Sequence, residues 1–140
     1  MVRRLVLAGA VLAVAAPGSA SAMGKPAQVV RAWSAALNRN DNERAARLFA
    51  SGARVVQPGV DVRLTSHGLA VAFNNALPCA GRVVRVTVRG SRATATFVLG
   101  QRPRHRCDAP GQKAAALFVV RRGKIVRWQQ VPVPDDAPTA

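Results

Sequence analysis

Carboxylates are scarce in this 140-residue chain: six Asp and Glu stand against 21 Lys and Arg. Tyrosine is absent, and the aromatic content is four Phe and two Trp. There are two His and two Cys. Proton transfer and nucleophilic catalysis need a base and a group to orient it. Few such groups are free here. Asp135 and Asp136 belong to a Pro-rich tail, and Asp41 and Glu43 sit where a helix start needs a cap. Asp61, Asp108, His67 and His105 are the remaining proton carriers, so the composition weighs against catalysis.

Beyond the N-terminus no long apolar run occurs. Residues 1–22 have the composition of an export signal: Val2-Arg3-Arg4 as a positive start, an apolar stretch over 5–16, a break at Pro17-Gly18, and Ala20-Ser21-Ala22 for cleavage. The stretch is shorter than the about 20 residues that span a bilayer. Cleavage after Ala20 and an uncleaved anchor are the alternatives. The short positive region favours the general secretory route over twin-arginine export. The expected localisation is secreted or cell-envelope. Without the leader the net charge falls from +15 to +13. The richness in Ala, Val, Gly and Pro, with one Ile and no Tyr, resembles GC-rich coding, which by itself raises the arginine count.

In an exported protein an even number of cysteines implies bridging, so Cys79 and Cys107 are expected to form a disulfide. Closing a loop of roughly 29 residues is worth about 3–4 kcal/mol in the chain-entropy picture. Neither a metal nor a cofactor is expected.

The mature chain divides into a domain over 23–132 and a disordered tail over 133–140. Pro26 opens a helix whose apolar face is Val29, Val30, Trp33 and Leu37, ending near Asn38. Asn40, with Glu43 three residues on, is expected to cap a second helix running to Ser51-Gly52. Short strands follow over 54–57 and 60–64, separated by Pro58-Gly59. Thr65 or Ser66 caps a third helix with Leu69, Phe73 and Leu77 on its buried side, closed by Pro78. Two hairpins complete the domain. Turning about Gly90-Ser91, Val88 faces Ala93, Val86 faces Ala95 and Val84 faces Phe97. Turning about Arg122-Gly123, Val120 faces Ile125, Val119 faces Val126, Leu117 faces Trp128 and Phe118 faces Arg127. Both faces of this second hairpin are then partly apolar, which suits inner strands or a homodimer contact through the sheet. Residues 100–112 read as a basic, solvated loop pinned by Cys107.

This order of elements resembles the nuclear transport factor 2-like superfamily, its SnoaL-like members in particular. The reminders are Leu48-Phe49-Ala50 before Val55-Val56-Gln57-Pro58-Gly59, Gly68 and Phe73 in the third helix, and Gly123-Lys124-Ile125-Val126 before Trp128. The resemblance implies an α+β fold, a curved antiparallel sheet of four to six strands wrapped around N-terminal helices as a cone with an apolar pocket. Its members include isomerases, cyclases, ligand binders and partner modules. Ketosteroid-isomerase-like members carry a catalytic Asp where this chain has Gln57, and cyclase members carry one in the last strand, where Gln129 and Gln130 stand. A carboxamide cannot take up a proton near neutral pH.

The expected function is binding of a small apolar ligand or a protein partner, without catalysis. Trp33, Gln57, Phe73, Phe97 and Trp128 are the pocket candidates. The alternatives are an isomerase- or cyclase-type enzyme using His67 or Asp61, and a protein that binds polyanions or anionic surfaces through Arg85, Arg89, Arg92, Arg102, Arg104 and Arg106. Asp108 is expected to pair with a neighbouring arginine, His67 to lie exposed at a helix start, and His105 to lie in solvent. No aromatics interleave with the arginines, so sequence-specific nucleic-acid binding is not expected.

Overall fold

Apolar residues recur at three- and four-residue steps after Pro26, and that segment is helical with Val29, Val30, Trp33 and Leu37 buried. The structure is a computed structural model describing residues 24–135. The expected leader and the last five residues of the tail lie outside the described residues. Helix α1 (Pro26–Asn38) is followed by α2 (Asn42–Arg47), β1 (Phe49–Gln57), β2 (Val60–Leu64), α3 (His67–Ala76), β3 (Ala80–Arg89), β4 (Arg92–Gly100), β5 (Lys113–Arg121) and β6 (Lys124–Val131). The strands form one open, curved sheet in the order β2-β1-β6-β5-β4-β3. Every pairing is antiparallel except that of β1 with β6. Among the described residues no helix is long and apolar enough to cross a membrane.

The second helix departs from expectation at both ends. Asn40 does not cap it. Asn40 takes a left-handed φ of 55° and donates its N–H to Leu37 O, while Asp41 N–H reaches Ala36 O. This is a Schellman closure of α1, in which Asn tolerates the left-handed position. The cap is therefore Asp41, whose Oδ1 accepts the Arg44 N–H at 3.0 Å. At the other end α2 stops at Arg47, because Phe49 pairs with Ile125 and Leu48 O accepts the Ile125 N–H. The sheet claims residues that local pattern assigned to the helix.

Ser66 caps α3 through the Leu69 N–H. Leu69 itself is 47% exposed; the buried side is Ala70 and Asn74, with Phe73 and Leu77 partly buried.

Both hairpins have the expected register near their turns and then slip by one residue. Val88–Ala93 and Val86–Ala95 pair as expected, but a bulge makes Val83, not Val84, the partner of Phe97. Val84 is left 41% exposed. In the second hairpin Val120 pairs with Ile125, but a bulge makes Arg127 the partner of Val119 and Trp128 the partner of Phe118. Bulges bend a strand and increase its twist, which is what wrapping the sheet over α1 requires. Their local effect is to turn Phe118 and Trp128 inward together.

Packing then gathers every aromatic ring in the chain. Trp33 meets Phe97, Phe118 and Trp128 at centroid distances of 6.0, 5.3 and 6.1 Å. Phe73 bridges Phe49 and Trp128 at 5.8 and 5.2 Å. Near-perpendicular contacts of this kind contribute beyond area burial. Helix α1 lies along β3, where Ser34 Oγ and Asn38 Nδ2 donate to Gly81 O and Asn38 Oδ1 accepts the Gly81 N–H. Asn38 thus pairs with Gly81 as a neighbouring strand would. Residues 132–135 continue past β6 without regular structure and are exposed.

Candidate functional site

The aromatic core is incompletely filled toward one end of the sheet, where a cavity of about 440 Å³ opens. Trp33 from α1, Phe97 from β4 and Trp128 from β6 form its apolar wall. The small side chains of Ala114, Ala115 and Ala116 on β5 leave the space, since a larger residue there would occupy it. Gln57 and Gln130, at the ends of the parallel pair β1 and β6, line it as well. Gln130 shares a sheet face with Trp128 because side chains two apart on a strand point the same way. Gln129 belongs to the other face, where its Oε1 accepts from Arg127 Nε and Nη2 at 3.1 and 2.8 Å. Phe73 does not line the cavity; it is packed behind it, between Phe49 and Trp128.

The two tryptophans differ in their hydrogen bonding. Trp33 Nε1 donates to Asn74 Oδ1 at 2.8 Å. Trp128 is 5% exposed, and its Nε1 is buried with no partner. The surrounding core covers that atom, so the ring lines the cavity while its N–H is closed off from it.

Asn74 connects the cavity wall to the loop over 101–112. Its Nδ2 donates to Ala70 O at 2.8 Å, and its own carbonyl accepts from Arg102 Nη1 at 2.8 Å. Arg102 also donates to Leu77 O at 3.0 Å and, through Nη2, to Asn40 Oδ1 and Asn42 Oδ1 at 2.7 and 2.5 Å. His105 Nε2 faces Asn75 O at 2.7 Å. A cation and an imidazole therefore meet the last carbonyls of α3, the end that the helix dipole makes negative. Arg102 is 3% exposed, and burial pulls its guanidinium pKa below the ordinary value. The expectation of a solvated Arg102 is overturned: it is a buried structural cation and leaves the polyanion group. His105 is half-buried rather than free in solvent. The Cys79–Cys107 disulfide is formed and ties this loop to the residues after α3.

The two proton carriers assigned to a possible enzyme lie outside the cavity. His67 is exposed at the start of α3, with Nε2 2.6 Å from Glu43 Oε2. Asp61 is exposed on β2 and accepts from Arg54 Nε and Nη2 at 2.7 and 2.5 Å. The Arg54 hydrogen bonds hold its carboxyl below the usual range. Neither reaches the cavity, which excludes them as its bases.

A carboxylate does line it. Asp108, beside Cys107, sits at the cavity wall with Oδ1 3.4 Å from Cys79 Sγ. No ion pair joins it to an arginine among the described residues, contrary to expectation. Its neighbourhood to both sulfurs gives no metal site, because those sulfurs are bonded to each other. Asp108 remains exposed, on a loop that the disulfide holds at the cavity.

Of the remaining basic residues proposed as a group, Arg85, Arg89, Arg92, Arg104 and Arg106 are exposed. Arg104 and Arg106 belong to the disulfide-bonded loop on the cavity side, away from Arg89 and Arg92 at the β3–β4 turn. They do not form one patch.

No protein-family model and no curated protein sequence matches this chain. Solved structures do. A candidate polyketide cyclase from Sinorhizobium meliloti superposes with a TM-score of 0.60 at 21% identity, covering 74% of this chain and 93% of that one. A nuclear transport factor 2-like protein of unknown function from Cytophaga hutchinsonii gives 0.63 at 11% identity, over 76% of this chain and 88% of that one. A protein with a ketosteroid isomerase-like fold from Catenulispora acidiphila, in complex with trimethylamine, gives 0.60 at 20% identity, over 77% and 86%. At these identities the likeness is one of architecture, and the chain has the cone-shaped α+β fold of the nuclear transport factor 2-like superfamily, the fold its sequence resembles.

Proposed function

We propose that this domain is an exported carrier or sensor that holds a small, largely apolar molecule in the cavity without turning it over. Export is supported by the composition of residues 1–22 and by a disulfide, which persists in oxidising compartments. Binding is supported by one observation above all: an aromatic-walled cavity of about 440 Å³ that also carries the carboxamides of Gln57 and Gln130 in its lining. Small-molecule sites are of this size, mostly apolar, with a few placed polar groups. The ligand that fits is a compact apolar body with a hydrogen-bonding group for Gln57 or Gln130. Gln57 and Gln130 can donate to or accept from it but cannot move its protons.

Titration with the neutral probe N-phenyl-1-naphthylamine tests this reading. One-to-one, saturable quenching of the emission of Trp33 and Trp128, both in the cavity wall, is expected. Absence of saturable binding, in protein that also retains no molecule in native mass spectrometry, would sink it.

The presence of Asp108 at the cavity favours a second reading, an isomerase- or cyclase-type reaction with Asp108 as base. Turnover of an enolisable ketone that disappears in Asp108→Asn while probe binding persists selects this reading over the first.

A further inference from the structure

The two hairpin turns, far apart in sequence, bring cations to one end of the sheet. The β3–β4 turn lies between Arg89 and Arg92, and the β5–β6 turn between Arg121 and Lys124 with Arg122 inside it. Arg92 is opposite Val119, and Ser91 O accepts the Val120 N–H at 2.8 Å, so the turns are neighbours. Lys124 Nζ donates to Arg47 O, which brings the end of α2 to the same place. Arg47, Arg89, Arg92, Arg121, Arg122 and Lys124 are all exposed. No side chain of Arg89, Arg92, Arg121 or Arg122 has an ion pair or hydrogen bond among the described residues.

The described carboxylates are placed elsewhere. Asp61 follows the β1–β2 turn and Asp135 follows β6, both at the far ends of their strands. Asp108 lines the cavity. Asp41 and Glu43 start the six-residue α2, Asp41 capping it and Glu43 facing His67, one helical turn before Arg47. Exposed cations occur at the cavity end too, as Arg82, Arg104, Arg106 and Lys113; the turn end differs in having six of them in one place.

The backbone of the β5–β6 turn sets Arg122 at its tip. Arg122 has φ 52° and Gly123 φ 74°, the pattern of a type I′ turn. Asn, Asp or Gly is favoured at the first of these positions, and Arg is strained there. Arg104, in the disulfide-bonded loop, has a similar φ of 63°, so the assignment rests on the clustering of cations rather than on this conformation.

We infer that this cationic end docks on an anionic lipid surface. The end consists of two hairpin turns and the end of α2, and none of its six cations lines the aromatic-walled cavity. All aromatic rings are in the core, so no base-stacking platform is offered to a nucleic acid. A spread array of exposed Arg and Lys without specific pockets suits a plane of headgroups, where each cation adds a similar increment. Docked this way, the protein presents the cavity to solution, because Gln57 and Gln130 lie at the opposite ends of β1 and β6, a strand length of about 25 Å away.

Flotation with vesicles tests the surface. The full domain is expected to bind vesicles of phosphatidylcholine with one-third phosphatidylglycerol at low salt. It should ignore pure phosphatidylcholine, and lose at least about tenfold in binding when salt is raised to about 0.3 M. The variant Arg89→Gln/Arg92→Gln/Arg122→Gln should lose at least about tenfold relative to Arg82→Gln/Arg104→Gln/Arg106→Gln, which removes equal charge elsewhere. Arg122→Gly alone relieves the turn strain, so it folds at least as well as the parent and should still bind more weakly. Equal losses in the two triple variants would mean that net charge alone is read and would overturn the assignment. So would tighter, turn-dependent binding to duplex DNA at a salt concentration that releases the vesicles.

Discussion

Arg102 shows how far a single residue can depart from its sequence neighbourhood. Between Pro103 and Gln101, and near Arg104 and Arg106, it has every local mark of a solvated charge. Its acceptors are Asn40, Asn42, Asn74 and Leu77, which are 62, 60, 28 and 25 residues away. None of them is a carboxylate, so the cation is stabilised by dipoles and a helix end alone. Truncation leaves those carbonyls and amides without a donor, and Arg102→Ala is expected to cost about 2–4 kcal/mol in urea unfolding. Arg102→Lys should recover little of this, because an ammonium cannot span the same fork of acceptors. The residue was illegible in sequence for a physical reason: burial of a guanidinium depends on partners that only folding assembles. Asp61 is the opposite case, an exposed group whose role stays local. Its folded pKa is below the ordinary value because of Arg54. The pairing therefore stabilises the fold above the usual carboxylate range of about pH 4 and is lost as pH falls through the lowered value. The melting-temperature gap between the parent and Asp61→Asn should be small and constant from about pH 5 to 7, and should close below about pH 4.

At the scale of elements, periodicity located the helices and strands, while pairing set their ends and their faces. Helix α1 has the expected bounds, since its apolar spacing, Pro26 and the Asn40 closure agree. The hairpins were legible from turn to bulge and not beyond. A bulge carries no local signature in Val83-Val84 or Val126; it answers the curvature demanded by α1. Gly81 belongs to the same demand. A Cβ built there would lie 3.0 Å from Phe97 Cβ, and both backbone groups of Gly81 are engaged by Asn38. Gly81→Ala must push Phe97 or lift β3 from α1. The expected loss is about 1–3 kcal/mol in thermal or denaturant unfolding, larger than for Gly100→Ala, where a Cβ meets nothing. A tolerated Gly81→Ala would show that the seam between α1 and β3 is looser than its hydrogen bonds indicate.

The whole molecule concentrates its large side chains on one side of the core and its small ones on the other. Six rings form a continuous cluster, while Ala93, Ala95, Ala115 and Ala116 face or flank it from the central strands. Sequence could list Trp33, Gln57, Phe97 and Trp128 as inward residues, because strand alternation and helix spacing say so. It could not say which of them would touch open space, since that is a difference between the volume enclosed by the sheet and the volume filled. Phe73 illustrates the limit, having the same chemistry and helix face as a lining residue yet lying one layer behind. If the hollow exists to hold a molecule, filling it should trade function for packing. Ala116→Leu adds three carbons to the β5 wall at a 3% exposed position beside the cavity. Overpacking of a filled core typically costs about 1–3 kcal/mol, whereas entry of the new side chain into existing space offsets that cost. The melting temperature is therefore expected to change by no more than a few degrees while N-phenyl-1-naphthylamine binding falls at least about tenfold. A strongly destabilised Ala116→Leu protein, or one that binds the probe as before, would mean that the space beside β5 is not where the ligand sits.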